Sequence, residues 1–341
     1  MSTRSQSPDR GVQYRLLGRT GVKVSSLALG CMSFGGDADE ATAGALYAQA
    51  RAAGVNFFDV ADVYNGGRSE EMLGRLSAGE RDRIVVATKA YFPTDGDVNA
   101  RGSSRYHLVR ACEGSLRRLG RDHVDIFYLH RFDDLTDLGE SLRALDDLVR
   151  AGKVLYPACS NFAAWQVARA LGVAALERLA PMVAIQPMYN LVKRQAEVEL
   201  LPMAQALGVA VVPYSPTAGG LLTGKWTQAR RPDSGRLATS AMYKVRYGDP
   251  AYYAAAEGLA AIAGELGVGV AALAVAWVAS HPGVTSVLLG ARDGGQLEGT
   301  LAAAAITLTA EQRARIAALT PEPPPATDRN EERTANNFGS R

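Results

Sequence analysis

Short apolar runs alternate with amphipathic stretches along most of the chain. Eight largely apolar runs, at 26–29, 55–59, 84–89, 124–130, 154–160, 182–186, 209–214 and 286–290, are too short for lone amphipathic helices and read as buried strands. Between them lie stretches with helical spacing at 40–53, 69–76, 106–119, 138–151, 163–179, 198–207 and 250–266. Strands that alternate with crossover helices give a parallel sheet. Eight such units predict an α/β fold, the (β/α)8 TIM barrel.

Four departures refine this. Residues 14–25 hold two extended runs around Gly18 and Gly21, an N-terminal β-hairpin. Residues 271–279 read as an extra helix before the eighth strand. The long polar loops 94–105 and 225–249 follow strands three and seven, on the C-terminal face where barrel enzymes carry their sites. No linker divides the chain, so a single domain is expected over 13–320, between a polar tail at 1–12 and a Pro-rich tail at 321–341.

Composition sets limits. With 47% hydrophobic and 21% charged residues among 341, the chain has ordinary globular usage, which excludes a largely disordered or collagen-like protein. A net charge of +2 supplies no broad basic field for nucleic acid or a membrane surface. Lysine is scarce, six against 31 arginines, so a lysine at a strand end carries information. Cys31, Cys112 and Cys159 form no CxxC pair and no metal-ligand spacing with the four histidines; no metal site is expected, and a reducing compartment fits. Residues 1–12 lack the apolar core of a signal peptide, and the apolar stretch near 268–280 is too short to span a bilayer. A cytoplasmic protein without nucleic-acid or membrane partners is the expectation.

The informative feature is what ends each strand. Asp59 closes the second run, with Tyr64 five residues on; Lys89 closes the third and His130 the fourth. Ser160 and Asn161, then Gln186, then Tyr214 and Ser215 close the next three. Singly, Asp59 reads as a helix cap, Lys89 as a rim charge and His130 as a satisfied buried histidine. In one register they converge on one barrel mouth. Asp59 keeps a neighbouring Lys89 charged, and that charge is expected to lower the Tyr64 phenol pKa. The set lacks a hydrolase-type nucleophile–base pair. It suits protonation of a carbonyl oxygen by Tyr64, oriented by His130, while another group delivers hydride. The GxxxxGK string at 219–225 is followed by Trp226 rather than the Ser/Thr of a triphosphate P-loop, and no GxGxxG follows the first strand. Cys159 is expected to face the helices. Trp226, Tyr243, Tyr247, Tyr252 and Tyr253 read equally as a substrate wall or as packing for the long loop.

These segments carry a family resemblance over roughly residues 14–319. YRLLGRTGVKVSSLALGCMSFGG (14–36), GVNFFDVADVY (54–64), SLRRLGRDHVDIFYLHRFD (115–133), CSNF (159–162), QPMYNL (186–191), PYSPTAGGLLTGK (213–225) and LLGARDGGQLEGTL (288–301) follow in the order found in the aldo-keto reductases, which the chain resembles. The 225–249 loop is similar to that of the long-loop bacterial and potassium-channel β-subunit-like branches. The resemblance implies a catalytic tetrad of Asp59, Tyr64, Lys89 and His130, a small-molecule carbonyl substrate, and a nicotinamide cofactor extended across the mouth. It implies cofactor contacts from Gly30, Cys31 and Met32; from Ser160, Asn161 and Gln186 to the carboxamide; and from Tyr214 stacking on the ring. Asp59 is included among those contacts. Ser215, Pro216, Leu221 and Lys225 would line the pyrophosphate passage, and Gly290, Arg292 and Gln296 the adenosine end. The fork of Arg292 suits a 2′-phosphate and tilts the expectation to NADPH over NADH. Val60 and Asn65 stand where threonine and glycine are usual, and Gly299–Thr300 replaces an acidic residue and asparagine. A cofactor-sensing regulatory subunit with little turnover is the alternative function.

Overall fold

The computed structural model describes residues 11–327. Tyr14–Leu16 (β1) and Lys23–Ser25 (β2) form the antiparallel hairpin. Leu17 and Val24 from it pack among side chains of the barrel interior. Gly18 lets this hairpin seat: its φ is +56°, and a Cβ there would meet the Gly208 and Val183 carbonyl oxygens at 2.8 and 2.9 Å.

Eight strands follow: Leu27–Gly30 (β3), Phe57–Asp59 (β4), Val85–Ala90 (β5), Val124–Leu129 (β6), Val154–Ser160 (β7), Ala184–Gln186 (β8), Ala210–Val211 (β9) and Val287–Gly290 (β10). They pair in parallel in the order β10-β3-β4-β5-β6-β7-β8-β9. The ring is closed by Thr285 N–H donating to the Val211 carbonyl (2.8 Å) and Leu288 N–H to that of Pro213 (3.0 Å). Strand β9 is shorter than the apolar run 209–214 because Pro187 on the β8 side and Pro213 on the β10 side have no N–H to extend the ladders. All eight expected strands are present, and the fold is the TIM barrel.

Two cores follow from the period-2 alternation of strand side chains. Phe57, Ala87, Tyr128, Ala158, Ala184 and Leu288 face inward, where the alanines leave room for the Tyr128 ring. Phe58, Val86, Phe127, Cys159 and Ile185 face outward under the helices, so Cys159 points to the helices as expected. Two residues on from the inward set, the same register puts Asp59, Lys89, His130, Ser160, Gln186 and Gly290 at the C-terminal mouth.

The helices fall close to their sequence positions, including Glu40–Ala52, Arg105–Leu119, Leu138–Arg150, Pro250–Leu266 and Val270–Ala279. The 225–249 segment differs from a plain loop. It contains helices Arg236–Thr239 and Ala241–Tyr247, which bury Leu237, Tyr243 and Tyr247. Runs of four and seven residues are too short for a helical period to stand out. Among the described residues no single helix is long and apolar enough to cross a membrane. The expected tails at 1–12 and 321–341 lie largely outside the described residues.

Candidate active site

A cavity of about 930 Å³ opens at the C-terminal ends of the strands, lined by Asp59, Tyr64 and His130 at one end and by Arg292 and Gln296 at the other. Lys89, wholly buried, extends from β5 to an ion pair with Asp59 and donates to the Val60 carbonyl at 2.8 Å. Its nitrogen lies 5.1 Å from the Tyr64 ring centroid, and its charge acts on the phenol. The other Asp59 oxygen accepts from Gln186 Nε2 at 2.8 Å. The Tyr64 and His130 rings stand edge to face at 6.0 Å, and Phe92 meets His130 at 4.9 Å.

Tyr64 is held by the turn that follows it. Asn65 and Gly66 adopt φ of 51° and 66°, a left-handed pair that asparagine and glycine tolerate. Asn65 Nδ2 donates to the Met32 and Phe34 carbonyls at 2.8 and 2.9 Å, tying the turn to the segment after β3. Asn65 in place of glycine thus keeps the backbone conformation and adds a latch. Val60 is fully buried in the helix-side core, and only its carbonyl serves Lys89.

Electrostatics correct one expectation. Burial raises the Tyr64 phenol pKa, and this outweighs the opposing pull of Lys89, so the net shift is upward rather than downward. Tyr64 therefore stays protonated at neutral pH. For Lys89, burial works against the ammonium, but Asp59 and Tyr64 together outweigh it and hold its pKa above the ordinary value. His130 is pushed down to about 3, first by burial and then by the Lys89 charge, and is neutral at physiological pH.

The His130 shift has a stability consequence. Below its ordinary pKa of 6.5 the unfolded chain binds a proton that the folded chain refuses until about 3. Stability therefore rises with pH across that window and is lost as pH falls through it. His130→Asn is expected to flatten this acid limb, measured as urea midpoints from neutral pH down to about pH 5. An unchanged pH slope would show that His130 is not the group responsible.

The residues expected to touch a carboxamide bond one another. Ser160 Oγ donates to the Gln186 carbonyl (2.8 Å), Asn161 Nδ2 to that of His130 (3.0 Å), and Tyr214 OH to Asn161 Oδ1 (2.7 Å). Asn161 and Ser215 hold φ of 57° and 58° at the mouth, a left-handed conformation kept by the surrounding bonds. At the far end Gln296 donates to Asp293 Oδ2 at 2.6 Å and accepts from the Arg292 N–H at 3.3 Å.

Every expected cofactor residue lines the cavity except two. Cys31 is one position past inward-facing Gly30, so its side chain turns into the helix-side core. Leu221 is likewise fully buried there, while its neighbours Gly219 and Gly220 face the cavity. Sequence reasoning missed Phe92 and Arg131, although each follows a strand end by only a few residues, and also Asp293, the N-cap of helix Gly294–Leu301. Of the loop aromatics, Trp226 and Tyr243 line the cavity while Tyr247 packs beneath, its OH accepting from Asn190 at 3.3 Å.

Residues 26–321 match the model of the Aldo/keto reductase family. The chain belongs to this family. Among its relatives, an uncharacterized oxidoreductase, YrpG, of Bacillus subtilis is 38% identical over 88% of this chain and 93% of its own. A probable voltage-gated potassium channel subunit beta of Oryza sativa is 39% identical over 84% and 89%. Versiconal hemiacetal acetate reductase of Aspergillus parasiticus is 30% identical over 88% and 95%. As an aldo/keto reductase the chain is an oxidoreductase, and Asp59, Tyr64, Lys89 and His130 fall inside the matched segment.

Proposed function

We propose that the protein is an NADPH-dependent reductase of aldehydes or ketones, reversible as an alcohol dehydrogenase, with Tyr64 as the proton donor. The observation that carries this reading is the wholly buried Lys89 ammonium beside Tyr64 at the cavity. The Lys89 ammonium has three N–H groups and no acceptor; two go to Asp59 and the Val60 carbonyl, which leaves the third for the neighbouring Tyr64. Tyr64 OH can only accept from Lys89, so its own proton is left for the cavity. A carbonyl oxygen placed there takes that proton, and the phenolate left behind is stabilised by the Lys89 charge. Neutral His130 can donate to the same oxygen without competing as an acid. Asp59, bonded by Gln186, fixes the lysine.

The cavity suits a nicotinamide dinucleotide in size. Open space lies where Cβ atoms would sit at Gly220, Gly290 and Gly299. Among the described residues neither Lys225 nor Arg292 makes an ion pair within the chain, which leaves both for phosphates. Asn161, Gln186 and Tyr214 would hold the carboxamide end, and Arg292 a 2′-phosphate. When bound, the reduced nicotinamide supplies the hydride.

NADPH oxidation with 4-nitrobenzaldehyde, followed by absorbance, tests the reading. Steady turnover is expected, with kcat/KM for NADPH above that for NADH by roughly tenfold or more, the worth of one charged phosphate contact. Equal use of both cofactors would remove the role given to Arg292. The identity to named channel subunits supports a second reading, a cofactor-sensing subunit; tight NADPH binding with almost no turnover of any carbonyl would favour it.

A further inference from the structure

One buried amide ties together two walls of the cavity that lie far apart in the chain. Asn190 is fully buried, and each of its polar groups has a partner. Its backbone N–H and carbonyl pair with the carbonyl and N–H of Lys193, at 3.3 and 3.0 Å, closing a small turn after β8. Within that turn its Oδ1 accepts from the Val192 N–H at 3.1 Å. The two Nδ2 hydrogens leave the turn, one for the Ser215 carbonyl at 2.9 Å and one for the Tyr247 hydroxyl at 3.3 Å. The Ser215 carbonyl can only accept, so the amide has a single orientation here.

Each group it holds carries a wall. Ser215 opens the turn assigned above to the pyrophosphate. Its φ is 58°, and positive φ recurs at Ala218 (52°), Gly219 (68°) and Gly220 (102°). A serine and an alanine keep the left-handed conformation where surrounding bonds impose it. The Ser215 carbonyl supplies two such bonds, accepting from Asn190 and from the Ala218 N–H at 2.9 Å. Tyr247, fully buried, ends the helix Ala241–Tyr247, whose Met242, Tyr243 and Arg246 line the cavity. One helical turn earlier, Tyr243 packs on the backbone of Gly219, where a Cβ would stand 2.5 Å from its ring. Helix and turn therefore meet at two points, the Tyr243 ring on Gly219 and the Asn190 amide between Tyr247 and Ser215.

We infer that Asn190 is a positioning residue for the dinucleotide, joining the Ser215 turn and the helix Ala241–Tyr247 into one wall that slows its release. This rests on the cofactor half of the proposed function and is independent of turnover. Apolar packing of the Tyr243 ring is non-directional, whereas the amide fixes a distance and an angle. Without the amide, the left-handed Ser215 loses a bond that selects it, and the two walls part with no change at Tyr64, Lys89 or His130.

The test is NADPH release, read by stopped flow as loss of NADPH fluorescence when excess NADP⁺ displaces it. Asn190→Ala is expected to raise the dissociation rate by about tenfold, with the association rate within about threefold of wild type. Tyr247→Phe, a milder change that keeps the ring, should raise it by about threefold. The double variant should release NADPH within about twofold of Asn190→Ala, because both substitutions cut the same link. Hydride transfer from prebound NADPH to 4-nitrobenzaldehyde, followed in a single turnover, should stay within about twofold of wild type in both single variants. Wild-type release rates in both, or a double variant whose effect is the product of the two, would overturn the inference and leave the cofactor site standing. A slowed transfer step with unchanged release would overturn it as well. Should Asn190→Ala fail to fold, Tyr247→Phe decides alone, and release at the wild-type rate rejects the link. Wild-type protein that binds no NADPH would remove the proposed cofactor and this inference with it, a result seen before any variant is compared.

Discussion

Tyr64→Phe is expected to lower kcat for NADPH-dependent aldehyde reduction by roughly 10²–10⁴-fold, the usual worth of a general acid, while leaving cofactor affinity within about twofold. The ring keeps its place, because the turn that positions it is held by Asn65 rather than by the hydroxyl. What disappears is a hydroxyl that stands beside the buried Lys89 charge and can give a proton to the cavity. Raised by burial, the phenol does not ionise near neutrality in the free protein. The reduction rate should therefore show no acid-to-phenolate break near neutral pH. The decisive comparison is single-turnover NADPH oxidation beside equilibrium NADPH binding, both in wild type and variant. Full activity in Tyr64→Phe would place the proton donor elsewhere, and a loss confined to binding would make Tyr64 a cofactor contact.

The barrel was legible because each strand is a short apolar run that ends in a polar residue, and the alternation of two fixes which polar residues face the axis. Lys89 follows Val85 and Ala87, and His130 follows Ile126 and Tyr128, on the inward face. The same rule, applied one residue further, turns the Cys31 side chain away from the mouth after Gly30 and leaves its backbone to face a cofactor. The 225–249 segment was not legible, since its fold depends on Tyr243 and Tyr247 finding a core made by distant residues such as Asn190. Nor was the direction of the Tyr64 shift. A sequence shows that a lysine is nearby but not how completely both groups leave water, and here burial is the larger influence. Arg131 was passed over because it adjoins His130 and reads as an ordinary surface charge until the ring order sets it across from Arg292.

Lys89→Met should cost both activity and stability, and a double variant should separate the two. The pair Lys89–Asp59 is almost completely buried, so removing the lysine leaves a carboxylate with only Gln186 for a partner. Breaking such a pair costs about 3–5 kcal/mol, whereas replacing both members with neutral groups of similar shape is often close to neutral. Asp59→Asn/Lys89→Met is therefore expected to recover most of the stability lost by Lys89→Met alone, read as urea midpoints. Gln186 Nε2 can still donate to the new amide oxygen. Catalysis should not recover. Both variants lack the ammonium that stabilises the Tyr64 phenolate, and kcat should remain lower by at least about 10²-fold, comparable to loss of an oxyanion-hole donor. A double variant no more stable than Lys89→Met would mean that the lysine contributes through packing. One that regained turnover would mean that Tyr64 donates its proton without help from the buried charge.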